Sequence, residues 1–176
     1  ESGLYEHGGP PHQALIHVPL IIYDPRLTGG RVVTDAVSLI DVMPTLSDLL
    51  GMPRSPEMQG RSLVPLMRGE VLDPRPIYCS SRVLVEHHDI LIEDHYALHC
   101  ADGQGPTAMY DIASDRYEET NVLAQQPQRA VRMMQTMQAI RDDLDRRRRR
   151  NIERSRADPP VDVQTLEALR ALGYIR

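Results

Sequence analysis

The stretch IYCSSRVLVEHHDILIEDHYALHCADGQGPTAMYDI, Ile77 to Ile112, decides the fold of the second half of this chain. Ile77 to Ser80, Val83 to Glu86, Asp89 to Ile92, Tyr96 to Cys100 and Met109 to Ile112 are short segments separated by turn residues. That spacing predicts an antiparallel meander in which three or four segments pair. Downstream, a polar stretch through Asp115, Glu118, Glu119 and Asn121 leads to Pro127. Beyond it Ala130, Met133, Met137, Ile140 and Leu144 recur every three or four residues, which predicts a long amphipathic helix. Its methionines read as packing against a sheet, because flexible thioethers fill irregular gaps. Pro159 and Pro160 then break the chain, and Asp162 opens a last short helix with Leu166, Leu169 and Leu172 on one side and Gly173 as its stop.

Upstream, DPRP at Asp73 to Pro76 marks a change of character. Before it, Ser62 caps a short helix through Met67 that stops near Gly69. In DVMPTLSDLLG, Asp41 is a helix cap, Pro44 sits in the tolerant first turn, Val42, Leu46, Leu49 and Leu50 share a side, and Gly51 ends the helix. Val18 to Tyr23 reads as a strand buried on both faces and hence as part of a parallel sheet, with Arg31 to Ala36 as a second extended piece. The fold class expected is therefore α/β: a first part over residues 1–73, a small antiparallel sheet with a long helix over 74–158, and a helical tail over 159–176.

Composition narrows the chemistry. The chain has 176 residues, 41% of them hydrophobic, and its 4% aromatic content is all Tyr, so the core must be aliphatic. All 20 basic residues are Arg, which excludes Schiff-base chemistry on lysine. The longest apolar run, Val18 to Tyr23, falls far short of the roughly 20 residues of a membrane helix. Cys79 and Cys100 read as two buried thiols and do not fix a compartment. Residues 1–126 set 8 Arg against 18 acids, whereas residues 127–156 set 10 Arg against 4. The basic run Arg146 to Arg150 could meet a nucleic acid or another polyanion. Without interleaved aromatics, and at a helix end where cations suit the dipole, it reads instead as a solvated surface.

A self-contained hydrolase needs a nucleophile, an activating group and a holder for the developing anion. Ser80 and Ser81 lack a nucleophile-elbow motif, Cys79 lacks a partner, and no phosphate-binding glycine loop is present. His87 and His88 are adjacent and so point apart, and together with His95 and His99 they read as ordinary surface or half-buried histidines. Glu6, His7, His12 and His17 differ, because they lie in a Gly- and Pro-rich loop entering Val18. Loops at strand ends are where α/β folds bind ligands, and a histidine there can hold an anion.

Five segments in order resemble the sulfatases of the alkaline phosphatase superfamily. They are HGGPPHQALIHVPLIIY at His7 to Tyr23, VVTDAVSLIDVMPTLSDLLGM at Val32 to Met52, QGRSLVPLMRG at Gln59 to Gly69, MYDIASDRYEETNVL at Met109 to Leu123 and LEALRALGYIR at Leu166 to Arg176. The resemblance implies the C-terminal part of an α/β sandwich followed by a small antiparallel sheet carrying a long helix. It also implies hydrolysis of a sulfate ester on a sulfated small molecule or glycan, through a formylglycine and a divalent cation, usually calcium. No Cys or Ser here begins the Cys/Ser-x-Pro-x-Arg motif that yields formylglycine, and the metal-binding Asp pairs of the family lie upstream. The chain is thus expected to be a fragment, inactive by itself. The resemblance places the family's sulfate-contacting residue on His7, with His12, where the family often has Tyr, as second choice. A phosphodiester or phosphonate monoester hydrolase of the same superfamily, or a non-catalytic polyanion-binding module, are the competing readings.

Overall fold

The computed structural model describes residues 12–27, 30–83, 86–101, 105–157 and 163–172. They fall in two compact units, one through Met137 and one from Gln138. The first unit holds a four-stranded antiparallel sheet in chain order: β1 (Ile77–Val83), β2 (Glu86–Glu93), β3 (Tyr96–Ala101) and β4 (Pro106–Asp111). The expected meander is present, with four strands rather than five segments. Ile77 to Ser80 begins β1, Val83 to Glu86 spans the end of β1 and the start of β2, and β4 starts three residues before Met109. β2 and β3 join through Asp94 and His95, both at positive φ (46° and 57°), the two-residue turn whose twist matches that of the strands.

Alternation along β3 sorts its side chains onto two faces. Tyr96 and Cys100 meet the first turns of α4 (Pro127–Ala157): the Arg129 guanidinium lies 4.2 Å over the Tyr96 ring, and the Cys100 thiol is 3.3 Å from Met134 Sδ. Ala130, Met133 and Met137 are buried on this helix as the periodicity predicts, and Ile90, Leu91, Leu98 and Met109 are fully buried in the sheet. The opposite face of β3 carries Ala97 and His99. Both cysteines are free; Cys100 is buried and Cys79 half-buried, where desolvation pushes its thiol up.

The N-terminal portion departs from expectation. Val18 to Tyr23 is not a strand, and Arg31 to Ala36 joins no ladder. Ile21 and Tyr23 are 91% and 86% exposed. A parallel strand exists only through hydrogen bonds to neighbours, and among the described residues no strand flanks this segment. After α1 (Gln13–Ile16), the chain reaches a 3₁₀ turn at Leu39–Asp41, α2 (Val42–Leu49) and α3 (Val64–Arg68). The N-cap of α3 is Leu63 rather than the expected Ser62, whose hydroxyl sits one residue earlier and accepts Val64 N–H at 3.3 Å; Gly69 ends the helix at φ 88°.

Helix α2 forms where predicted, but of the expected stripe only Val42 and Leu49 are half-buried. Pro44, Thr45 and Ser47 are buried, while Met43, Leu46 and Leu50 are exposed. Asp41 does not cap α2 with its side chain. Its buried carboxylate accepts from Ser38 N–H and Arg61 N–H (3.1 and 2.8 Å) and pairs with the Arg75 guanidinium. Thr45 adds a relay, donating to the Asp41 carbonyl at 2.6 Å and accepting Leu63 N–H at 2.9 Å. Gly60 closes this knot, because a Cβ there would lie 1.9 Å from the Ile40 carbonyl oxygen.

In the second unit α4 continues through the arginine run to Ala157, so Arg146 to Arg150 lie within the helix, not at its last turn. Arg146 and Arg147 pair with Asp143 at 3.3 and 2.5 Å, ordinary contacts along an exposed helix face. Helix α5 (Val163–Ala171) half-buries Leu166 and Leu169; its expected ends at Asp162 and Gly173 lie outside the described residues. No helix among the described residues is long and apolar enough to cross a membrane.

Candidate functional site

The site is built around Glu118. Asp111 through Asn121 form a looped excursion between β4 and α4, pinned by Asp115, whose carboxylate accepts Glu119 N–H at 3.1 Å and Thr120 N–H at 2.8 Å. Those backbone donors, led by Thr120, lower the Asp115 pKa against the opposing effect of burial. Asn121 locks the far end by accepting Met109 N–H and Leu123 N–H at 3.1 and 3.0 Å. Within the loop Glu118 adopts φ 57°, a left-handed conformation that a non-glycine residue holds only when its surroundings fix it.

The Glu118 side chain is 1% exposed, and both its oxygens are engaged. Oε2 accepts from His12 Nδ1 at 2.7 Å and from Gln13 N–H at 3.0 Å; Oε1 accepts from His99 Nε2 at 3.0 Å. Three parts of the chain therefore meet at one carboxylate. The two imidazoles lie 5.1 Å apart between centroids, and the Tyr110 ring sits edge-on to His99 at 5.2 Å. Tyr110 reaches this face because it pairs with Ala97, two residues from His99 on β3. The ladder irregularity at His99 and Cys100, where the register skips Thr107, lies at the same place.

Electrostatics favour an ionised carboxylate. Burial is the largest influence on Glu118 and pushes its pKa up. The hydrogen bond from His99, the Gln13 N–H, the charge of His99 and the hydrogen bond from His12 together outweigh it, and the net shift is downward. The Tyr110 phenol is pushed up, by burial first and then by the charges of Glu118 and Asp115.

Of the residues singled out in the sequence, His12 is at this cluster, and His17 is exposed. His7 and Glu6 lie outside the described residues. His99, expected as an ordinary surface or half-buried histidine, is buried and bonded to Glu118, which the loop before α4 brings over it. Glu118 was visible only as part of a family-like segment. A second cluster imitates a catalytic triad without its geometry: Ser80 Oγ is 2.7 Å from His87 Nε2, but Asp89 faces that same nitrogen at 3.6 Å. A triad needs the carboxylate on the other ring nitrogen.

His12, His99 and Glu118 offer ligand atoms within 4.8 Å of one another. Two imidazole nitrogens and one carboxylate do not suit calcium, which takes six to eight oxygen ligands. Among the described residues nothing supplies the Cys/Ser-x-Pro-x-Arg motif either. The calcium and formylglycine of the resembling family thus have no fit in this cluster.

Residues 11–147 match the family described as N-sulphoglucosamine sulphohydrolase, C-terminal. The chain belongs to this sulfatase family. Among curated sulfatases, it is 27% identical over 139 residues to arylsulfatase K of Xenopus laevis, covering 72% of this chain and 26% of that protein. It is 31% identical over 124 residues to arylsulfatase K of Danio rerio, covering 63% and 23%. A solved 2-O GAG sulfatase aligns with a TM-score of 0.49 at 23% identity, over 61% of this chain and 24% of that one. This sulfatase chain spans about a quarter of the length of the curated relatives it matches.

Proposed function

We propose that this chain serves as the C-terminal part of a sulfuric ester hydrolase, with residues 1–73 contributing to the catalytic domain, 74–158 forming the small subdomain and 159–176 a tail. The family match carries the reading, supported by relatives named for sulfate-ester substrates. The substrate class is a sulfated small molecule or glycan. A formylglycine and a calcium ion, provided by parts of the enzyme outside this chain, would supply the nucleophile and the charge that holds the sulfate.

The part assigned to this chain's own residues is anion recognition from the loop ahead of Val18. His7 would donate a hydrogen bond or a positive charge to a non-bridging sulfate oxygen and protonate the leaving oxygen, with His12 as second candidate. His12 is bonded to Glu118, which makes it less available as a donor to sulfate.

The test is to express the complete enzyme and assay a chromogenic aryl sulfate beside the matching phosphate and phosphonate esters. Turnover of the sulfate ester, with kcat falling about 100- to 1,000-fold in His7→Ala, is the expected result. Preference for the phosphorus esters would refute the sulfatase reading. An unchanged His7→Ala would refute only the residue assignment.

A further inference from the structure

We propose that His12, His99 and Glu118 form a binding site for a first-row divalent cation of the zinc class. The inference stands on the geometry of these three residues and does not depend on the sulfate-ester reading. Two imidazole nitrogens with one carboxylate is a donor set suited to zinc, cobalt, nickel or iron rather than to magnesium or calcium. The three come from α1's leading edge, the middle of β3 and the loop before α4, and they turn their donor atoms toward one another.

The spacing is near what coordination needs. Bonds of about 2.0–2.1 Å in a tetrahedral site set donor atoms roughly 3.3–3.5 Å apart. The Glu118 oxygens already lie 2.7 and 3.0 Å from the two nitrogens, and the widest separation is at most 4.8 Å. An inward shift of at most about 1.5 Å at that widest pair closes the site.

The supports for such a site are also in place. Gln13 N–H holds Oε2 at 3.0 Å, the Tyr110 ring packs nearly perpendicular to the His99 ring at 5.2 Å, and Glu118 sits on a positive-φ backbone. Glu118 and His99 are sheltered from water, while the His12 side chain is 27% exposed. An ion would therefore enter beside His12, and water could fill the open coordination position there. On binding, a neutral imidazole moves its proton to the ring nitrogen away from the ion, and a protonated one releases it to solvent. Affinity consequently weakens as pH falls.

The test titrates the purified protein with cobalt(II) and then zinc in calcium-containing buffer. The expected result is one equivalent of cobalt with the intense visible bands of four-coordinate geometry, displaced by zinc. Binding should weaken at least about 100-fold in His99→Gln and in Glu118→Gln, and stay unchanged in a His87→Gln, His88→Gln double variant. Because His99 and Glu118 are buried, His12→Gln at the partly exposed edge serves as the variant least able to disturb folding, with circular dichroism as the check. Absence of binding at millimolar ion would overturn the proposal. So would binding that survives intact in His12→Gln and His99→Gln, since the ion would then lie elsewhere.

Discussion

Residues 77–137 and residues 30–75 are held together by different balances of apolar and polar burial. In the former, the sheet and the first turns of α4 bury apolar side chains: Ile90, Leu91, Leu98, Met109, Met133 and Met137 are fully buried. In the latter, Leu63, Val64 and Leu66 are buried beside a polar knot centred on Asp41. Asp41 and Thr45 bind backbone donors, and Arg75 neutralises the carboxylate, while Leu39, Ile40, Met43 and Leu50 face outward. The difference shows that a helix stripe of leucines does not by itself say which face is buried. A carboxylate and a hydroxyl spaced four residues apart can claim the inside when neighbouring loops bring them enough N–H groups.

The largest effect should come from breaking the polar knot. Asp41→Ala leaves the Arg75 guanidinium and two backbone N–H groups unpaired, and should cost about 3–5 kcal/mol in chemical denaturation. A cost below about 1 kcal/mol would mean that residues 30–75 owe little to Asp41. Next, Met133→Ala should cost about 2–4 kcal/mol by emptying a site between α4 and the sheet, whereas Met43→Ala should change stability by less than about 0.5 kcal/mol. Equal losses for the two methionines would erase the distinction between the regions.

The smallest effect concerns a clasp between the buried Asp24 carboxylate and the exposed Arg26. Asp24 has a pKa lowered to about 2, by the Arg26 side-chain hydrogen bond first and the Arg26 N–H second, against a small opposing desolvation; Arg26 also binds the Leu49 carbonyl at 2.6 Å. Because the folded value lies below the unfolded one, the contribution is present above about pH 4 and is lost as pH falls toward 2. A nuclear magnetic resonance titration should place the Asp24 midpoint near 2, and Arg26→Ala, which keeps the backbone N–H, should move it part of the way back up. A wild-type midpoint near 4 would mean that the clasp does not hold in solution.

The meander and α4 were legible because their signals are local. Turn residues punctuate the strands, and apolar residues at spacings of three and four mark α4 on either side of Met133. The register that sets Tyr110 beside His99 was not legible, since it depends on the skipped Thr107. Val18 to Tyr23 misled because a continuous apolar run specifies a strand only when other strands flank it. At the candidate site, His12 was marked by its loop and by family resemblance. His99 was passed over, because a histidine's burial depends on what covers it. Here that cover comes from residues 12 and 118, far from it in the chain.

The strand order β1-β2-β3-β4 also has a kinetic consequence. Every strand pairs with its neighbour in sequence, so closing each ladder costs little loop entropy, and the sheet can assemble early and quickly. The ties from Glu118 to His12 and Gln13 span 106 and 105 residues. They form only after both ends are structured, which makes His12 and Gln13 late arrivals on an already folded platform.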